Sequence, residues 1–232
     1  IAAIIPFHVS LGNHDYDYWT QDWLPPLNNR GSFGNDSGGE GGVPTFYRFI
    51  NPDDWAFPPY DETSIYSDAT TQSYQKNGER GIAYSYNTGV VHVAVISTEH
   101  DISLGSAQWN WLQNDLASVN RKETPWVIIA GHRPPYCTTS GCSIDHTVED
   151  PQGMDYYLRQ QIHQLMIKYQ VNMGIFGHNH HYERSCPIVE LNGYECASSY
   201  YSVQSGIAHI KSNLGPMFVV SGASGNTYEP NY

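Results

Sequence analysis

Three apolar runs in this chain each end in a short polar cluster, and that repeated pattern limits the folds open to it. "IIPFHVSL" (4–11) runs into Gly12-Asn13-His14-Asp15, "PWVIIA" (125–130) into Gly131-His132, and "VNMGIF" (171–176) into "GHNH" (177–180). Short apolar, β-rich runs bounded by glycine read as buried strands. In layered α/β folds the loops at the carboxyl ends of strands converge on one edge, and ligands gather there. Three such clusters on one edge would bring an amide oxygen and several imidazoles together, a donor set that suits zinc, iron or manganese. Within "GHNH" an extended turn lets His178 and His180 reach two neighbouring metals. On a strand proper they would face opposite sides.

The remaining segments supply the layers. "GIAYSYNTGVVHVAVIST" (81–98) predicts two strands around Asn87-Thr88-Gly89. "SAQWNWLQNDLASVN" (106–120) sets Trp109, Leu112 and Leu116 at helical spacing, and "DYYLRQQIHQLMIKY" (155–169) is a second amphipathic helix. "PMFVVSGASGN" (216–226) reads as a late strand ending in a glycine turn. Residues 16–61 are rich in Trp, Pro, Asn and Gly, and such a long irregular insertion is often functional. Its glycines do not form a nucleotide loop, because no Gly-Lys-Ser/Thr follows. Neither an internal repeat nor a linker divides residues 1–232, which read as one domain.

Single histidines after strands are usually ordinary hydrogen-bonded residues, and His92, His100, His163 and His209 are read that way. Gly12-Asn13-His14-Asp15 alone would be a turn, since Gly and Asn tolerate positive φ. The ordered combination of the three clusters is what points to a metal site.

Composition narrows the function. Eleven basic and 23 acidic residues give a net charge of −12, which argues against a nucleic-acid partner, since that requires a basic face. No apolar run approaches the ~20 residues needed to cross a bilayer, so no membrane association is expected. The four cysteines form two local pairs, Cys137/Cys142 and Cys186/Cys196. They are either reduced, partly buried thiols or two short-range disulfides, and the spacing favours the disulfides. The sequon Asn35-Asp36-Ser37 lies in a glycine-rich stretch that reads as a surface loop. Disulfides and a sequon together lean toward a secreted protein. No signal peptide is present, and the first residues read as a strand already under way, so a processed or truncated chain is expected.

The ordered set "GNHD", "AGHRPPY" and "GHNHHYERS" resembles the calcineurin-like metallophosphoesterases, and within them the purple acid phosphatases of plants, fungi and protists. The resemblance runs from about Val9 to Asn226. It implies an α/β fold, a four-layer αββα sandwich, incomplete at both ends of this chain. It also implies a secreted acid phosphatase that hydrolyses small phosphate monoesters through a metal-activated hydroxide. By the same resemblance the cofactor is a dinuclear centre of Fe(III) with Zn, Mn or Fe(II). Asn13, His132 and His178 would bind the exchangeable divalent metal and His180 the ferric ion. His14 would face the substrate and protonate the leaving alkoxide, and His146 lies in the loop where relatives carry further substrate histidines. His181 is left to the surroundings of the site or to the surface, and Tyr182, Glu183 and Arg184 would brace the turn.

The physical logic agrees. An acidic protein needs a local positive centre to hold a phosphate anion, and two metals about 3.5–4 Å apart supply it. A histidine acid would be largely protonated at about pH 5–6. The family's upstream Asp motif and Gly-Asp-x-x-Tyr motif do not occur in these residues, so the segment alone is expected to lack activity and to self-associate through unpaired sheet edges. Two alternatives stand beside this reading. One is a metal-dependent phosphodiesterase or nucleotide pyrophosphatase of the same superfamily, and the other is a catalytically inactive structural or binding homologue.

Overall fold

The computed structural model describes residues 8–13, 15, 49, 83–138, 154–189, 201–205, 207–210 and 215–223. Strands β1 (Tyr84–Thr88) and β2 (Val91–Val95) form the expected hairpin, and β3 (Trp126–Ala130) and β4 (Met173–Phe176) are the two strands that lead into histidines. β5 (Tyr182–Arg184), β6 (Tyr201–Gln204), β7 (Ile207–Ile210) and β8 (Met217–Ser221) complete the set among the described residues. The helices are α1 (Ala107–Ser118), then α2 (Met154–Leu158), a π-helical turn (Arg159–His163) and α3 (Gln164–Lys168) in direct succession.

The main sheet has the order β1-β2-β3-β4-β8-β5, and β6-β7 form a separate two-stranded piece. β2, β3, β4 and β8 run parallel, while β1 and β5 lie antiparallel on the two edges. Parallel neighbours need crossovers, and α1 supplies one between β2 and β3 while α2–α3 supplies another between β3 and β4. The chain is therefore α/β with a mixed sheet, as the alternating pattern implied. The second large sheet of the implied sandwich is not among the described residues.

Local chemistry explains the elements. Thr88 pairs with Val91, so Gly89 and Val90 alone make the β1–β2 turn, one step beyond the expected position. Gly89 takes φ 55°, which suits the first central residue of a tight hairpin turn. Ser106 caps α1, its hydroxyl accepting from the Trp109 N–H at 3.1 Å. The π-helical turn lets the Trp109 indole donate to the Gln161 carbonyl at 2.9 Å and sets Arg159, Ile162 and His163 into the interior. The core lies between sheet and helices, with Leu112, Ile129, Leu158, Ile162 and Met166 fully buried.

The expected strand at 4–11 is not seen in its described part, where residues 8–11 carry no ladder. Side chains hold that segment to the sheet instead. Ser10 donates to the Ile96 carbonyl at 3.2 Å, and the Tyr84 hydroxyl donates to the Val9 carbonyl at 2.8 Å. Burial pushes the Tyr84 phenol above its ordinary range.

Candidate metal centre

Two neighbouring parallel strands deliver the histidines. Past the end of β3, Gly131 N–H donates to the Ile175 carbonyl at 3.1 Å, and past the end of β4, Gly177 N–H donates to the His132 carbonyl at 2.8 Å. The ladder thus continues up to the polar edge and fixes the two loops side by side. Asn13 arrives from a separate turn, closed by Asp15 N–H to the Gly12 carbonyl at 3.0 Å and Gly12 N–H to Asp15 Oδ2 at 3.0 Å. Gly12 leaves room for the His132 ring, since a Cβ would stand 3.0 Å from both its Cε1 and Nδ1 and the ring would have to shift.

The side chains meet. His132 Nε2 lies 2.6 Å from Asn13 Oδ1, His178 Nδ1 lies 3.2 Å from that same oxygen, and the two ring nitrogens are 3.2 Å apart. The imidazoles cross edge to face with centroids 5.0 Å apart. Asn13 is 2 % exposed and both histidines are half-buried. His178 adopts φ 66°, a left-handed conformation that costs a non-glycine residue about 1 kcal/mol or more. Strain of this kind persists where the surroundings over-determine it, and it clusters at functional sites.

The arrangement fits a first-row divalent ion. A tetrahedral centre with bonds of about 2.0–2.1 Å separates its donors by about 3.3 Å, and the two 3.2 Å edges of this triangle match that spacing. The 2.6 Å edge between His132 Nε2 and Asn13 Oδ1 is a hydrogen-bond distance that would have to open for both to bind one ion. An amide oxygen and two imidazole nitrogens are also a sound donor set for zinc, manganese or iron. Among the described residues no group of three or more His, Cys, Asp or Glu side chains is placed to hold a metal. The converging set is two histidines and an amide.

The other expected site residues divide. His180 follows in the same turn and is half-buried. His14 and His146 lie outside the described residues. His181 is fully buried, and its Nε2 lies 2.9 Å from Glu183 Oε2, so the surface position considered for it is excluded. His92, His100 and His163 bond to Asp115, Ser97 and Tyr136 respectively, as ordinary buried histidines do.

Sequence reasoning assigned no role to Arg133 and Glu99. Arg133 Nε donates to Glu99 Oε1 at 2.8 Å, with both side chains buried. Thr98 closes the circuit, accepting from Arg133 N–H at 3.1 Å and donating to Glu99 at 2.9 Å. Arg133 Nη1 reaches within 3.4 Å of His178 Nε2, so a fixed guanidinium borders the site. The available signal was positional, since Glu99 and Arg133 follow the ends of adjacent strands. Cys137 is disulfide-bonded, as is Cys186. The expected partners Cys142 and Cys196 lie outside the described residues.

Comparison with known proteins identifies the family. The family model for calcineurin-like phosphoesterase matches residues 1–182. The chain is 37% identical over 188 residues to "Probable inactive purple acid phosphatase 9" of Arabidopsis thaliana, covering 81% of this chain and 26% of that protein. It is 30% identical over 229 residues to a nucleotide pyrophosphatase/phosphodiesterase of Hordeum vulgare, covering 97% of this chain and 50% of that one. The purple acid phosphatase PPD1 from yellow lupin (Lupinus luteus) seeds superimposes with a TM-score of 0.62 at 25% identity, covering 98% of this chain and 33% of that structure. The chain thus spans a quarter to a half of the length of these proteins. With its mixed sheet and its strand-end Asn–His–His cluster, the chain belongs to the calcineurin-like phosphoesterase family, among relatives of the purple acid phosphatases.

Proposed function

We propose that the protein hydrolyses small phosphate monoesters as a secreted acid phosphatase with a dinuclear metal centre. The observation that carries this reading is the convergence of Asn13 Oδ1, His132 Nε2 and His178 Nδ1 beyond the ends of adjacent strands. These three would hold the exchangeable divalent ion, Zn, Mn or Fe(II), and His180 the ferric one. When bound, the metal pair supplies Lewis acidity at the phosphoryl oxygens and lowers the pKa of water. Asn13 is a neutral ligand, so it leaves the metal's charge available to the anionic ester. Arg133, its charge balanced by Glu99, would present Nη1 as a hydrogen-bond donor at the border of the site, 3.4 Å from His178 Nε2. His14, next to Asn13 in the chain, would steady the phosphate and protonate the leaving alkoxide, with His146 a further substrate contact.

In the full-length protein, His14→Ala should slow alkyl phosphates far more than activated aryl phosphates, by about 10²–10⁴-fold, because a good leaving group needs little protonation. Equal losses on both classes would refute the acid role.

Two other readings have specific support. The Hordeum vulgare relative is named a nucleotide pyrophosphatase/phosphodiesterase, and a diester turned over faster than a monoester would favour that activity. Several similar Arabidopsis proteins are named probable inactive purple acid phosphatases. Bound metals without turnover on either ester would favour an inactive homologue.

The disulfide-bonded Cys137 and Cys186 and the Asn35 sequon support the proposed secretory origin. Pairing as Cys137–Cys142 and Cys186–Cys196 is part of the same proposal. The net charge of −12 supports the exclusion of nucleic acid. No helix among the described residues is long and apolar enough to cross a membrane. Self-association remains a proposal, tested by sedimentation.

A further inference from the structure

Resting on the reading that Asn13, His132 and His178 hold a metal, we propose that Glu183 is a positioning residue that ties the two histidine-bearing loops together. A single carboxylate oxygen, Glu183 Oε2, is met by three polar groups from two segments. Thr138 donates its N–H at 3.0 Å and its hydroxyl at 3.1 Å from the loop that follows His132. His181 Nε2, from the turn that carries His178 and His180, lies 2.9 Å from the same atom. His181 is fully buried, so its ring has little room to find another partner.

The anchor is itself fixed. Glu183 sits in β5 opposite Val220 of β8, and flanking bonds from Gly222 N–H to the His181 carbonyl at 3.1 Å and Ser185 N–H to the Phe218 carbonyl at 2.9 Å hold that register. The carboxylate therefore refers both loops to the sheet. Between the loops themselves, the backbone bond from Gly177 N–H to the His132 carbonyl sets the spacing at the strand ends. Glu183 sets it again farther out, where the chain would otherwise splay. Ligand geometry tolerates shifts of only about 0.5 Å, and groups that orient metal-binding histidines are typically worth about 10–100-fold in metal affinity.

The test is calorimetric titration of the metal-stripped full-length protein with Zn²⁺, at a temperature where every variant is folded by circular dichroism. Glu183→Ala should weaken the Asn13-dependent site by about 10–100-fold. Glu183→Gln, whose amide oxygen can still accept from Thr138, should recover most of that loss. Thr138→Val removes the hydroxyl bond and keeps the backbone one, so it should weaken the site less than Glu183→Ala and add little to it. KM for the ester at saturating metal should stay near the parent value. Zn²⁺ affinity unchanged in Glu183→Ala, while Asn13→Ala loses it, would overturn the proposal and leave the metal site standing. Unchanged affinity in Asn13→Ala would overturn the metal reading and the proposal with it. Should Glu183→Ala not fold, Glu183→Met, which keeps the side-chain length and removes the acceptor, takes its place: parental affinity overturns the proposal and a weakened site supports it.

Discussion

Acid should weaken this fold through one buried histidine. His163 is fully buried on the π-helical turn, with Nδ1 2.9 Å from the Tyr136 hydroxyl and its ring stacked 6.3 Å from Phe218. Burial lowers its pKa from 6.5 to about 4, the Val189 backbone offsets part of this, and the Arg159 charge pushes it further down. The unfolded chain thus takes up a proton near 6.5 while the folded chain stays neutral to about 4. Between those values the unfolded state binds more protons, so stability is full above the upper value and falls as pH drops through the window. At pH 5 the ratio of the two binding polynomials gives a loss of about 2 kcal/mol from this group alone. His163→Phe keeps the aromatic packing and removes the titration. It also removes the bond between the Tyr136 hydroxyl and His163, at about 1–3 kcal/mol regardless of pH in this range. Urea unfolding of parent and variant at pH 7 and pH 5 separates the two effects. The parent should lose about 2 kcal/mol more than the variant between those conditions, a midpoint difference of about 1 M. Equal losses would refute the argument that His163 is held neutral in the fold.

Other substitutions probe the site and its frame. Gly12→Ala would place a methyl group 3.0 Å from two atoms of the His132 ring, so metal affinity should fall by about tenfold or more with thermal stability little changed. Arg121→Met removes the bonds to the carbonyls of Pro125, Tyr169 and Gln170 and to Asn172 Oδ1. It should lower unfolding free energy in urea by about 1–3 kcal/mol without altering metal binding. Gly174→Ala would set a Cβ 2.8 Å from Phe176 Cε2 and 3.0 Å from Phe218 Cδ1, and the overpacked sheet should lose about 1–3 kcal/mol by the same assay.

Much of this was legible in residue order because strand and helix periods are local. The runs at 106–120 and 155–169 became α1 and α2–α3, and the two glycine–histidine junctions fell at the ends of β3 and β4. Legibility stopped where tertiary partners decide. No periodicity marks the π-helical turn at Arg159–His163, which places Arg159, Ile162 and His163 in the interior. β5 is three residues long and exists through its pairing with β8, more than thirty residues away. The run at 4–11 has a strand's composition, but its described part is held by Ser10 and Tyr84 side chains rather than a ladder. At the site, motif order pointed to Asn13, His132 and His178, whose side chains do meet. It could not show that Glu99 and Arg133 pair behind them, because that contact depends on strand neighbourhood rather than spacing.

The central claim is that Asn13, His132 and His178 form one metal site. Elemental analysis of metals retained by the full-length protein after exhaustive dialysis tests it most directly, on the parent and on Asn13→Ala, His132→Ala and His178→Ala. Each variant should remain folded and lose the same single divalent ion, while the metal assigned to His180 is retained. Parental metal content in all three variants would contradict the account.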